Sequence, residues 1–352
     1  MRLIKHGGDI YTKNNINELI DFSANINPLG MPKSIADAII DNIDKYMCYP
    51  DCQCIELRTA IAHSFNVHPN MITCGNGAAD IIYRIILALR PEKALILAPT
   101  FSEYEEALRL VSSEIHYYYL LEENDFTIQK DIIDFITDDL DMIFICNPNN
   151  PTGIPYSKDK MIKIIEKCKE KNVTIVIDEC FSDFLIDEEN YSVVSQVGKY
   201  DNLIILKAFT KMYAMAGIRL GYMICSNENF NFKISNMLQP WSVSTIASKS
   251  GIAALNEKDF VLRTKKYIHD NRIYLINSLR DLGYKVFDSE VNYILFKSDD
   301  IEIDKKLEKQ GILIRSCSNY INLGNNFFRI AVKNADDNKQ LIKCLKLITG
   351  AD

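Results

Sequence analysis

The 352-residue sequence has no excess of positive charge, no long apolar run, no internal repeat and no low-complexity tract. Its formal net charge is −7. General nucleic-acid binding depends on a basic face, so this balance argues against that class. The N-terminal stretch through His6-Gly7-Gly8-Asp9 lacks the apolar core of a signal peptide. The apolar run 81–89 is interrupted by Arg84 and is too short to span a bilayer. A cytoplasmic protein with no membrane or nucleic-acid partner is expected. Cys48, Cys52 and Cys54 lie close together but have no obvious fourth ligand nearby, so no metal is expected. Cys146, Cys168, Cys225 and Cys344 sit singly in apolar segments and read as small core residues.

What is present is an ordinary globular composition, 47% hydrophobic and 25% charged, in a chain long enough for more than one domain. Short β-rich runs fall at 71–74, 94–98, 115–119, 142–146, 173–178, 203–206 and 221–225. Amphipathic segments such as 78–89 and 158–171 lie between them. The alternation predicts an α/β fold with a mostly parallel seven-stranded sheet covered on both faces. A long helix is expected over 258–282. Strands near 284–287, 293–296, 312–315 and 328–332 follow, with helices near 304–310 and 336–348. This reads as a small α+β C-terminal domain. The expected division is an N-terminal arm with part of the small domain (1–45), a large domain (46–240) and the small domain (241–352).

The most informative segment is Lys207-Ala208-Phe209-Thr210-Lys211 and its continuation through Gly217-Ile218-Arg219-Leu220-Gly221. A lysine follows an apolar strand, and an arginine stands eight residues later between two glycines. A pyridoxal phosphate site needs a lysine to condense with the cofactor aldehyde and an arginine for its phosphate. The segment resembles the cofactor-lysine motif of the fold-type I aminotransferase superfamily. Lys207 is a rival, but only Lys211 has that family's spacing to Arg219.

Further segments suit the same cofactor. Cys74-Gly75-Asn76-Gly77-Ala78-Ala79-Asp80 reads by itself as a strand-to-helix turn. The resemblance implies that Gly77, Ala78 and Ala79 meet the cofactor phosphate, together with Thr210 and Arg219. Asp178 ends an apolar strand, where a carboxylate is costly to bury without a partner. By resemblance it serves the ring nitrogen and is catalytic with Lys211. Asn147-Pro148-Asn149-Asn150-Pro151-Thr152-Gly153 reads as a proline-fixed loop, and the resemblance assigns Asn150 to the phenolic oxygen. Phe101, in Pro99-Thr100-Phe101-Ser102-Glu103-Tyr104, matches the aromatic that stacks on the ring. Tyr49-Pro50-Asp51 resembles a segment that reaches across a dimer interface, which implies a homodimer with shared sites. Two positions depart from the family: Ala208 where Ser or Thr is usual, and Phe181 where Tyr is frequent.

Arg315 and Arg329 match the paired anion-binding arginines of the subgroup that holds histidinol-phosphate aminotransferases and threonine-phosphate decarboxylases. Arginine binds carboxylate or phosphate through a planar fork, so a pair suits a substrate with two anionic groups. His6-Gly7-Gly8-Asp9 and the run from Asp21 through Ser23, Asn25 and Asn27 to Gly30 resemble the entry segment of the threonine-phosphate decarboxylases of cobalamin biosynthesis. That resemblance implies decarboxylation of L-threonine O-3-phosphate, with His6, Ser23 and Asn25 near the substrate phosphate. The alternatives are a histidinol-phosphate-type aminotransferase and a decarboxylase of a related phospho-amino acid such as phosphoserine.

Overall fold

The structure, a computed structural model, describes residues 6–12, 19–237 and 239–350. A two-residue strand, β1 (Ile20–Asp21), precedes seven longer ones. These are β2 (Ile72–Gly75), β3 (Lys93–Ala98), β4 (Glu114–Tyr119), β5 (Met142–Cys146), β6 (Thr174–Asp178), β7 (Leu203–Ala208) and β8 (Gly221–Cys225). They form one sheet in the order β2-β8-β7-β6-β5-β3-β4. Strands β3 to β7 are parallel, and β8 runs antiparallel to both its neighbours, β7 and β2. The α/β fold with a mostly parallel seven-stranded sheet is the expected one.

These strands read as continuous apolar runs because both faces of the sheet are buried. Along β5, Met142, Phe144 and Cys146 join one core, while Ile143 and Ile145 join another. The helices Ala78–Leu89 and Glu103–Leu110 cover the first face, through Ile81, Ile85, Tyr104 and Leu108. The helices Ile55–Phe65, Lys158–Glu170 and Thr245–Ala254 cover the second, through Leu57, Ile61, Ile164 and Ala247. Each fully buried Ile or Leu stabilises the fold by roughly 1.5–3 kcal/mol.

The remaining strands are β9 (Lys285–Val286), β10 (Tyr293–Lys297), β11 (Ile312–Leu313), β12 (Arg315–Ser316) and β13 (Phe327–Ala331). Four of them make an antiparallel sheet in the order β12-β13-β10-β9. The helices Lys258–Asp281 and Ala335–Thr349 pack on it through Ile268, Leu275, Leu341 and Leu345. The N-terminal strand joins this region: β1 pairs in parallel with β11, and the Ala331 N–H donates to the Phe22 carbonyl at 2.8 Å.

The large sheet presents its connecting segments at one edge. The glycine turn 75–77 leaves β2, residues 99–104 leave β3 and residues 147–153 leave β5. Asp178 ends β6, and Lys211 lies just past the end of β7. In α/β sheets, ligands bind outside the carboxyl ends of parallel strands.

Candidate active site

The structure separates the two lysines of the motif. Lys207 is fully buried, with its Nζ at 2.8 Å from Asp183, 3.0 Å from Glu188 and 2.9 Å from the Ser182 hydroxyl. Burial alone would lower its amine; the carboxylates of Asp183 and Glu188 overcome this and hold it well above the usual lysine range. Its charge is committed to the fold. Lys211 is partly exposed, and no carboxylate among the described residues pairs with its Nζ, which lies 5.8 Å from the Phe181 ring centre. Burial and the Arg329 guanidinium bring its amine down to about 8.

Asp178, 5% exposed, accepts from the Tyr104 hydroxyl at 2.7 Å and from the Cys180 N–H at 2.9 Å. The two donors fix the plane of the carboxylate. Tyr104 is itself wedged against Phe144, with ring centres 5.0 Å apart. Burial and the Asp178 charge push its phenol well above the usual range, so it stays a donor.

Gly77 begins the helix Ala78–Leu89 without a side-chain cap, so the first-turn N–H groups point outward at the positive end of the helix dipole. Its φ of +88° is glycine territory, and a Cβ there would stand 2.5 Å from Nη2 of Arg219. Arg219 therefore lies against this turn. Thr210 is buried beside Lys211. Phe101 is partly exposed at the end of β3, edge-on to Tyr104 with centres 5.7 Å apart.

Asn150 joins the two sheets. Its Oδ1 accepts from Arg329 Nη1 and, at 3.4 Å, from the Tyr320 hydroxyl. A guanidinium can only donate, so the amide nitrogen of Asn150 must face the other way. Arg329 also donates to the Ser23 carbonyl at 2.9 Å, and its Nε is buried without a partner. Arg315 donates to Asn319 Oδ1 at 2.7 Å. Arg315 and Arg329 are 8% and 5% exposed, and no carboxylate among the described residues pairs with either. A buried cation without an anion is costly, so this is where an anionic ligand belongs.

The N-terminal arm folds onto the same arginine. The Ser23 hydroxyl accepts from the Gly8 N–H at 2.7 Å and donates to Asp21 at 2.6 Å. A Cβ on Gly7 would overlap the Ser23 carbonyl oxygen and approach Arg329 Nη2 at 3.3 Å. Asn25 is 4% exposed, with its Oδ1 unpartnered. His6 Nε2 lies 3.0 Å from Glu103, and its ring is 6.4 Å from that of Phe101. His6, Ser23 and Arg315 line one cavity of about 570 Å³. Tyr49 is not with them: it is 80% exposed and stacks on Trp241, with ring centres 4.5 Å apart.

Three tyrosines border the site without a role read from the sequence. Tyr104, in the first turn of the helix that follows Phe101, meets that ring edge-on and donates to Asp178. Tyr293 donates to the Asn149 carbonyl at 2.9 Å, and Arg329 stands 5.4 Å over its ring. Neither Tyr293 nor Tyr320 has a local sequence signal, because each meets the site only through the packing of one sheet on the other.

Residues 17–345 match the family described as Aminotransferase class I and II. The chain belongs to that family. It is 34% identical to Threonine-phosphate decarboxylase of Salmonella typhimurium, over 98% of this chain and 97% of that protein. It is 32% identical to Adenosylcobalamin biosynthesis bifunctional protein CobDQ of Leptospira interrogans, over 97% of this chain and 41% of that protein. The solved structure of histidinol-phosphate aminotransferase from Clostridium acetobutylicum superimposes with a TM-score of 0.89 at 34% identity. It covers 94% of this chain and 99% of its own.

The cofactor is pyridoxal phosphate, and the residues present fit it. The turn at Gly77 has room for no Cβ, uncapped N–H groups and Arg219 stand together as a phosphate would require, and a lysine of lowered pKa has no carboxylate paired with it among the described residues.

Proposed function

We propose that this chain converts L-threonine O-3-phosphate to (R)-1-amino-2-propanol O-2-phosphate and CO2, as a pyridoxal-phosphate-dependent carboxy-lyase of cobalamin biosynthesis. The observation that carries the reading is the buried pair Arg315 and Arg329, paired with no carboxylate among the described residues, beside the arm residues His6 and Ser23. Two cations suit a substrate with both a carboxylate and a phosphate. The likeness to the Salmonella decarboxylase supports the same choice.

In this reading Lys211 would hold the cofactor aldehyde carbon, Asp178 its ring nitrogen, Asn150 its phenolic oxygen and Phe101 one face of its ring. Gly77, Ala78, Ala79, Thr210 and Arg219 would hold its phosphate. When bound, the cofactor supplies an electron sink for the bond pair released at the substrate Cα. Arg329, helped by Arg315, binds and orients the two anions. His6, Ser23 and Asn25 close over the phosphate. Lys211 Nζ, with a pKa of about 8, holds and returns a proton near neutral pH. Phe181 offers no hydroxyl, so Asn150 and its neighbours are the remaining donors on the phenolic side. In the same reading the exposed Tyr49 would reach the cofactor phosphate of a second copy, the active form would be a homodimer with shared sites, and its compartment would be the cytoplasm.

A histidinol-phosphate-type aminotransferase is the second reading, favoured by the Clostridium acetobutylicum structure. Phosphoserine differs from the proposed substrate by one methyl, worth only about 1–3 kcal/mol of discrimination. One incubation decides. Cofactor-loaded protein is mixed with L-threonine O-3-phosphate and no oxo acid, and CO2 and the amine product are followed. CO2 released over many turnovers is the expected result. Turnover that appears only when an amino donor and 2-oxoglutarate are supplied would establish the aminotransferase instead.

A further inference from the structure

Tyr320 lies in the loop between β12 and β13, near Arg315 and Arg329 in sequence but 170 residues from Asn150. Its hydroxyl is 3.4 Å from Asn150 Oδ1 and 3.5 Å from Arg329 Nη1. The Arg315 guanidinium stands 5.6 Å over its ring. One side chain thus touches both arginines and the asparagine. The loop is pinned to the large sheet, because Asn322 Nδ2 donates to the carbonyls of Leu120 at 2.8 Å and Ala98 at 3.3 Å. Tyr320 also lines a narrow pocket with Thr100 and Phe101.

Each contact has a consequence. Two donors on Asn150 Oδ1 commit that amide to one orientation, with its N–H bonds directed elsewhere. The hydroxyl oxygen of Tyr320 accepts from Arg329 Nη1, while Arg329 Nε has no partner among the described residues. The aromatic face holds Arg315 by cation–π attraction without neutralising it, as a carboxylate would. Burial raises the Tyr320 phenol, so it keeps its proton at working pH.

We propose that Tyr320 is a positioning residue: it orients Asn150 and holds Arg315 and Arg329 as an uncompensated pair for a doubly anionic substrate. The substrate half of this inference rests on the function proposed above; the Asn150 half rests only on the cofactor placement proposed there, not on the substrate.

Two variants separate the hydroxyl from the ring. Tyr320→Phe keeps the ring under Arg315 and removes the hydroxyl. Tyr320→Leu removes both. The first readout is the pH at which the visible absorption of the bound cofactor changes, without substrate. A loosened Asn150 stabilises the ionised phenolic oxygen less, so Tyr320→Phe raises this pH by about half a unit to one unit. The second readout is KM for L-threonine O-3-phosphate, which rises about three- to tenfold in Tyr320→Phe and further in Tyr320→Leu, with kcat within about twofold. Thermal unfolding of the cofactor-loaded variants checks the fold. An unchanged absorption profile together with an unchanged KM in Tyr320→Phe would overturn the proposal, and so would a loss confined to kcat. If wild-type protein does not turn over the phosphorylated amino acid, the proposed function fails, while the substrate-free absorption profile still decides the Asn150 role.

Discussion

Arg315 and Arg329 stand directly opposite each other in the antiparallel pair of β12 and β13. Residues so paired share one face of a sheet, and like charges in that position repel. Both side chains are more than nine-tenths buried. Without a ligand the arrangement opposes folding; an anion between them turns repulsion into attraction. Replacing Arg315 with Met should therefore leave thermal stability unchanged or raise it. The same change should lower kcat/KM on the phosphorylated substrate by about a hundredfold. Differential scanning calorimetry and steady-state kinetics on one preparation measure both.

Lys211 supplies a pH prediction. An amine must be neutral to attack an aldehyde. With a pKa of about 8, about a tenth of Lys211 is neutral at pH 7, against less than about a thousandth for an ordinary lysine. The rate of cofactor uptake by cofactor-free protein should rise about tenfold per pH unit below 8 and level off above it. Stopped-flow absorbance follows this directly, and a rate still climbing tenfold per unit at pH 9.5 would contradict the lowered pKa.

Lys207 has the opposite character. Its Nζ satisfies Asp183 and Glu188 within 3.0 Å. Among the described residues, Lys207→Met would leave Lys265, 3.6 Å from Glu188, as the cation remaining beside those carboxylates. The expected loss is about 3–5 kcal/mol of stability in denaturant unfolding, the range for breaking a buried pair. Borohydride reduction of cofactor-loaded protein should still mark Lys211 in this variant.

Gly7 is required by close approach. A methyl group there meets the Ser23 carbonyl that also accepts from Arg329. Gly7→Ala should displace the arm and raise KM for the phosphorylated substrate about tenfold, the effect of modest overpacking. Melting of the cofactor-free protein should barely move, because the clash lies in the arm and not in the sheet cores.

Much of the architecture was legible from local pattern. The runs 142–146 and 221–225 and the helix 78–89 were expected with the boundaries that the structure has. Such runs are dictated by burial: a strand covered on both faces must be apolar throughout, and a helix covered on one side repeats every three or four residues. These are properties of a single segment. The spacing of Lys211 to Arg219 and the turn at Gly77 are local in the same sense.

The tertiary structure decided the rest. Which lysine is bound into an ion cluster depended on Asp183 and Glu188 folding back over β7. Tyr104 meets Asp178 across 74 residues, Tyr320 meets Asn150 across 170, and Arg329 meets Ser23 across 306. No periodicity reports such contacts, because they arise when separate layers close on one another. The sequence by itself determined which segments are buried, through the hydrophobic demand of each; only the closing of the two sheets and the arm determined which charges face each other and which were left for a ligand.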